Sequence, residues 1–368
     1  MNWKRLLVAK MACALVILGV FGTALACTGI RLVANNGETV YGRSMEWGAF
    51  DLQSRVAIIP RGYPFTGTTP DGHNGKRWIA KYGFVGLDML GKDIYGDGMN
   101  ENGLAVGLFY HPGYAEYEKY DSEQAENTIT AVDVVAFLLT QFATIDEVKR
   151  AMQGVRVVPV VEEALGIPVQ AHWMITDSTG TAIVIEYLGG ELHIFENPLG
   201  VITNAPAFDW HLINLSNYVN LSPVALPPLQ MGSMDFAPLG AGSGMIGLPG
   251  DFTPPSRFVR AVAWTQTARP LANANETVYE TFRILDNFNL PLGSAEGSGS
   301  VGSDVPDMRS STIWTTAWDL SGRKLYFHTQ HNRRVRKVDV DRLDFSGESI
   351  RHIQMDEEKQ QDIKNLTP

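Results

Sequence analysis

The sequence predicts an α+β protein in which layers of antiparallel sheet and helix pack against one another. Three observations predict it. Strand-like and helix-like runs come in blocks, without the regular strand–helix alternation that builds a parallel sheet. Several strand runs are joined by tight turns, which suit antiparallel neighbours. The composition, 45% hydrophobic and 19% charged over 368 residues, is that of a globular chain long enough to bury a large core.

The amino end has the anatomy of a secretory leader. Lys4 and Arg5 precede a run from Met11 to Ala26 that is almost wholly apolar and ends Ala24-Leu25-Ala26, with a small residue three and one before Cys27. The run is shorter than the roughly 20 residues a spanning helix needs, and no later segment is long and apolar enough to span. The expectation is a leader over residues 1–26, a single domain over 27–368, secreted or periplasmic, and no membrane span after cleavage. Cys13 leaves with the leader, so the mature chain keeps one thiol and forms no internal disulfide. A free cysteine is commonly a buried small hydrophobe. A cysteine at a new terminus can also carry a lipid, although a lipoprotein leader would have Leu where Ala24 stands. A thiol and a free α-amine on one residue bring a nucleophile and a base together.

Thr28 to Ala34 and Thr39 to Met45 read as two strands around Asn35-Asn36-Gly37-Glu38, a strong hairpin signal. The return strand delivers Arg43 and Glu46 toward the end that holds Cys27. Ala131 to Phe142 has helical spacing, and Thr144-Ile145-Asp146-Glu147 is a capping box that opens a second helix running to Gly154. Trp173 to Thr176, Ala182 to Tyr187, Leu192 to Phe195 and Val201 to Thr203 read as an antiparallel meander. Residues 221–255, rich in Pro and Gly, read as a projecting arm or binding loop. Helical spacing returns over Arg257 to Ala268 and Val278 to Asn287. Gly293 to Ser303 reads as a loop, and Ser311 to Trp318 and Lys324 to Thr329 as closing strands.

A formal net charge of -10 gives no footprint for nucleic acid, and Arg333-Arg334 with Arg336-Lys337 reads as a solvated edge. Gly242-Ser243-Gly244-Met245-Ile246-Gly247 fits the spacing of a dinucleotide loop, but no strand precedes it and Pro249-Gly250 stands where the helix should run. The histidines are scattered with no metal-ligand spacing, and His328 and His331 read as surface or core strand residues. No cofactor is expected.

Five stretches stand out together: Cys27-Thr28-Gly29, Gly42-Arg43-Ser44-Met45-Glu46-Trp47, Asp97-Gly98-Met99-Asn100-Glu101-Asn102-Gly103-Leu104, Thr203-Asn204-Ala205-Pro206 with Asp209-Trp210, and Gly247 to Pro254 with Ser256-Arg257-Phe258. Together they resemble the choloylglycine hydrolase family, which contains bile salt hydrolases and penicillin V acylases. The resemblance runs in order from Cys27 to about Asp339. It implies an N-terminal nucleophile hydrolase, a four-layer αββα sandwich of two antiparallel sheets with the terminal cysteine between them. Position by position it makes Cys27 the nucleophile, sets Arg43 beside its sulfur, gives Glu46 the family's aspartate position near the α-amine, makes Asn204 an oxyanion donor and matches Arg257 to the family's second arginine.

The chemistry follows from the residue types. A thiol of ordinary pKa, about 8.5, is mostly protonated at neutral pH; a neighbouring arginine favours the thiolate and an α-amine can take its proton. On residue type alone Asn204 reads equally well as a turn former, Arg43 and Arg257 as structural ion-pair members, and Tyr110 as a buried strand aromatic. Two departures stand out. Glu46 has one methylene more than the Asp common in the family. Tyr110 occupies a position where bile salt hydrolases usually have Asn and penicillin V acylases Tyr, and its backbone N–H can complete an oxyanion hole. The expected partner is a small amphipathic N-acyl amide: a conjugated bile salt, penicillin V or an N-acyl homoserine lactone. The arm resembles the assembly loop of bile salt hydrolases and implies a homotetramer. The competing reading is a lipid-anchored or catalytically degenerate binding protein of the same fold.

Overall fold

The computed structural model describes residues 25–295 and 308–367. The proposed leader falls almost wholly outside them, as does most of the Gly293 to Ser303 stretch. Two large antiparallel sheets organise what is described. The first has six strands in the order Val201–Ile202, β1 (Leu25–Val33), β2 (Thr39–Trp47), Thr312–Asp319, Lys324–Thr329 and Arg336–Asp339. The second has eight, in the order Glu191–Glu196, Ala182–Leu188, Ala171–Thr176, Ala105–Tyr110, Ile94–Asn100, Phe84–Met89, Arg55–Ile59 and Arg351–Gln354.

Both faces of each sheet are covered, so successive residues of a strand enter different cores. Val56 and Ile58 point between the sheets, where they join Ile30, Met45, Phe109 and Val184 in one cluster. Ala57 and Ile59 point outward to α1 (Val134–Gln141) and α2 (Ile145–Met152), among Val134, Leu138 and Ile145. Beneath the first sheet, Val40, Ala317 and Tyr326 pack on Ala274, Val278 and Phe282 of α5 (Ala274–Leu285), while α4 (Pro254–Thr267) lies along β1. A short α3 (Phe208–Asn214) precedes the arm. The resulting order is helix, sheet, sheet, helix, as the resemblance implied. No helix among the described residues is long and apolar enough to cross a membrane.

The hairpin reading holds: Ala34 N donates to Glu38 O and Gly37 adopts φ +86°, a conformation glycine reaches without a Cβ penalty. The capping box holds too, with Glu147 N donating to Thr144 Oγ1 and Glu147 accepting from Thr144 N. The four-strand meander does not hold as read. Val201–Ile202 leaves the second sheet and pairs with Gly29 and Ile30 of β1 in the first. The chain changes sheets at Asn197, whose side chain accepts from Gly200 N and donates to Val201 O. The basic cluster is ion-paired rather than merely solvated, Arg333 with Asp286, Arg334 with Asp362, Arg336 with Asp356 and Lys337 with Asp339. His328 and His331 are both buried.

Candidate active site

The hairpin register sets the site. Gly29 faces Arg43, Cys27 faces Met45 and Ala26 faces Glu46 across β1 and β2. Cys27 is 3% exposed, with its sulfur 3.8 Å from Met45 Sδ and its backbone N–H donating to Asn204 Oδ1 at 2.8 Å. Burial raises its thiol pKa; Arg43 pulls it down, and Glu46 pushes it up. The expectation that Arg43 favours the thiolate has the right sign, but in a chain that still carries Ala26 burial outweighs it.

Arg43 is fully buried and lies with its guanidinium carbon 4.2 Å from the Phe109 ring centroid. Its Nη1 donates to Gly96 O at 2.7 Å and Leu108 O at 2.6 Å, and its Nη2 reaches Met45 Sδ at 3.8 Å. Those carbonyls belong to the second sheet, so Arg43 bolts the two sheets together where the sulfur lies. Gly29 makes this approach possible, since a Cβ there would sit 2.6 Å from Phe109 Cζ and 2.8 Å from Ile202 Cγ2. Asp97 supplies balancing charge to Arg43 while accepting from Thr316 Oγ1 and Trp318 Nε1, each at 2.7 Å.

Asn204 is the hub. Its Oδ1 accepts from Cys27 N and from Arg257 Nη2 at 2.6 Å, and its Nδ2 donates to Tyr110 O at 2.7 Å. Arg257 also donates from Nη1 to Cys27 O at 2.5 Å and Thr28 Oγ1 at 2.9 Å, and from Nε to Phe252 O at 2.9 Å. Burial lowers its pKa to about 10, so it stays charged at neutral pH. The arginine thus grips the backbone of the cysteine and the side chain of Asn204. Glu46 is buried; its Oε1 accepts from Thr312 Oγ1 at 3.3 Å, and its Oε2 makes no hydrogen bond among the described residues, although the Ser44 hydroxyl beside the carboxylate favours its charged form. Burial pushes its pKa up to about 7, against the pull of Arg257. An unpartnered buried carboxylate oxygen is costly, and it lies on the cross-strand neighbour of Ala26.

Above the sulfur is a small apolar cavity of ≈ 60 Å³ lined by Cys27, Met45, Trp47, Leu52, Leu108 and Tyr110 among others. The Tyr110 ring stands edge-on to Trp47, with centroids 6.5 Å apart. Ile94, Val132, Glu162 and Val169 line this cavity and also a larger cleft of ≈ 600 Å³. Glu162, at the start of a short hairpin, is ion-paired with Lys92. All six residues singled out from the sequence, Cys27, Arg43, Glu46, Tyr110, Asn204 and Arg257, therefore converge on one end of the inter-sheet space. Sequence reasoning missed four buried residues behind Asn204: His111, His172, Glu186 and His211. They come from separate strands, a loop and a helix, and no spacing signal connects them.

Comparison with known proteins agrees with this geometry. The family model "Linear amide C-N hydrolases, choloylglycine hydrolase family" matches residues 27–355 and begins on Cys27 itself. The chain is 33% identical over 332 residues to a bile salt hydrolase/transferase of Clostridium perfringens, covering 88% of this chain and 95% of that one. It is 27% identical over 371 residues to a penicillin V acylase of Pectobacterium atrosepticum, covering 94% and 89%. Among solved structures, a variant of the conjugated bile acid hydrolase of Clostridium perfringens superposes with a TM-score of 0.78 at 30% identity, covering 93% of this chain and 100% of that one. The penicillin V acylase of Agrobacterium tumefaciens has the same fold, with a TM-score of 0.71 at 24% identity and coverage of 89% and 91%. The chain belongs to the choloylglycine hydrolase family and is a hydrolase of linear amide carbon–nitrogen bonds.

Proposed function

We propose that this protein is an exported cysteine hydrolase that cleaves the linear amide of an amphipathic N-acyl substrate through a thioester on Cys27. The observation that carries the reading is the pairing of Cys27 N with Asn204 Oδ1 at 2.8 Å on the floor of an apolar cavity, next to two buried arginines and one buried carboxylate. Cleavage before Cys27 converts that N–H into an α-amine. The amine takes the thiol proton, and the thiolate attacks the amide carbonyl. The ammonium then returns a proton to the leaving nitrogen, and water, deprotonated by the same amine, releases the acid. Asn204 Nδ2, with two hydrogens of which Tyr110 O accepts one, and the Tyr110 backbone N–H are the proposed oxyanion donors; losing one such donor lowers turnover about 10²- to 10³-fold. Arg43 stabilises the thiolate, Arg257 fixes Asn204 and the cysteine backbone, and Glu46 faces the new amine.

The apolar lining suits an acyl chain or ring beside the sulfur, with the polar part of the substrate directed outward. Conjugated bile salts, penicillin V and long-chain N-acyl homoserine lactones all have that form. The test is a panel of these three on the secreted protein, beside its Cys27→Ala variant, with intact mass of both. Turnover of at least one class by the parent, none by the folded variant and a free cysteine terminus are expected. Activity retained in Cys27→Ala, or a diacylglyceryl adduct on Cys27, would sink the reading.

We also propose a homotetramer. The arm carries a short hairpin, Leu229–Met231 with Met234–Phe236, whose apolar side chains are exposed along with Leu239. Such a patch on a lone chain is a contact surface in waiting. Light scattering that returned a monomer at working concentration would remove the proposal.

A further inference from the structure

The segment that carries Asn204 is held from behind by three buried imidazoles. His172 Nε2 lies 3.2 Å from Thr203 O, His211 Nε2 2.9 Å from Asn204 O and His111 Nε2 3.3 Å from Pro206 O. A carbonyl oxygen only accepts, so each of these nitrogens bears a hydrogen. His172 Nδ1 is 2.7 Å from Glu186 Oε1, and that contact requires a hydrogen as well. The pair therefore holds one proton more than a neutral imidazole and a carboxylate would carry. Both oxygens of Glu186 accept from Phe208 N, at 3.2 and 3.1 Å, which ties the start of α3 to the same group. The rings of His111 and His172 stack with centroids 4.1 Å apart, and His211 stacks on Phe258 at 4.6 Å. All four side chains are buried, and none has a hydrogen bond to Cys27 among the described residues.

We propose that His172, Glu186 and His211 are positioning residues: a buried, proton-locked frame that sets the backbone of Asn204 so that its side chain meets Cys27 N and Arg257. The role assigned to Asn204 rests on the hydrolase reading above. The shared proton belongs on Glu186, which makes the pair a neutral carboxylic acid donating to a neutral imidazole. Two stacked imidazoles tolerate an added charge poorly, and burial raises the Glu186 carboxyl while lowering His172 to about 3. The charged and titratable groups facing the frame are Arg43 at His172, His111 and Asp209 at Glu186, and Arg257 at His211. One ligand atom from each of His111, His172 and Glu186 lies within 4.8 Å of the others, close enough to hold a cation. The 2.7 Å hydrogen bond accounts for two of the three without one.

The test compares Glu186→Gln with Glu186→Ala in the mature enzyme. A glutamine amide mimics the neutral acid: it donates to His172 Nδ1 and accepts from Phe208 N. Glu186→Gln should keep kcat, KM and the rate of Cys27 alkylation by iodoacetamide within about twofold of the parent. Glu186→Ala should lower kcat about tenfold with KM little changed, the scale of one lost buried hydrogen bond, and should shift the alkylation rate. Alkylation reads the frame even if no substrate in the panel is turned over, so failure of the hydrolase reading stays distinguishable. If Glu186→Ala does not fold, His211→Phe, which keeps the stack on Phe258 but removes the bond to Asn204 O, should show the same tenfold loss. Parent-like kcat and alkylation in folded Glu186→Ala or His211→Phe would overturn the proposal. So would a Glu186→Gln variant as impaired as Glu186→Ala, or a stoichiometric metal ion whose chelation abolishes activity.

Discussion

Glu46→Gln in the uncleaved chain, with Ala26 still joined to Cys27, should stabilise the protein at pH 8 and leave it unchanged at pH 4. In that chain Glu46 has a folded pKa of about 7 against an ordinary 4.5, because burial opposes its ionisation more than Arg257 and Arg43 favour it. Below 4.5 the group is protonated in both the folded and unfolded states and costs nothing extra. As pH rises from 4.5 the unfolded chain ionises first, and stability falls until the folded group has also ionised above about 7. The gap of about 2.5 pKa units, at ~1.36 kcal/mol each, comes to about 3 kcal/mol. The glutamine amide carries no charge to desolvate. Urea unfolding of both chains at pH 4 and pH 8 measures it: the variant should match the parent at pH 4 and exceed it by about that amount at pH 8. Equal stabilities at both pH values would refute the reasoning. In the proposed mature enzyme, cleaved before Cys27, an α-ammonium would replace the peptide link to Ala26, the cross-strand partner of Glu46, so the same substitution should give a much smaller gain or a loss.

Gly29→Ala should destabilise the fold by ~1–3 kcal/mol, the usual scale of overpacking, and lower kcat by pushing the Phe109 ring off the Arg43 guanidinium; a parent-like melting temperature with full activity would count against the close approach described. Replacing Leu229 and Phe236 by Ser should shift the proposed homotetramer toward smaller species in light scattering while the chain keeps its melting temperature, because both side chains are exposed and contribute little to the core.

Some of this architecture was legible because its signals are local. Asn36-Gly37 dictates a tight turn, and once β1 and β2 pair through it, Arg43 and Glu46 must return to the Cys27 end. The Thr144 and Glu147 capping box is equally local. The strands Arg55–Ile59, Phe84–Met89 and Ile94–Asn100 gave no comparable cue. They are covered on both faces, so the alternation that marks a half-exposed strand is replaced by runs such as Val56-Ala57-Ile58-Ile59, buried throughout. Val201–Ile202 looked like a fourth meander strand because continuity in sequence suggests continuity in a sheet. The hydrogen bonds of Asn197 redirect the chain, and asparagine near a turn is too common to signal such a change.

The same division runs through the site. Residues that touch Cys27 were found because their motifs keep a fixed order along the chain. The frame behind Asn204 was not, because His111, His172, Glu186 and His211 meet only after the second sheet has formed and α3 has docked on it. Each alone has the sequence signature of an ordinary buried polar residue. Their pattern exists only as geometry: donors from three imidazoles aimed at the carbonyls of residues 203, 204 and 206. In the role proposed for Asn204, an oxyanion donor is useful to the extent that it is already in place when charge develops. Asn204 sits on a short irregular segment with few ladder bonds of its own, so its orientation must be imposed from outside. Arg257 fixes the side chain from the front and the imidazoles fix the backbone from the rear. A loss on either side should therefore act through turnover more than through substrate binding.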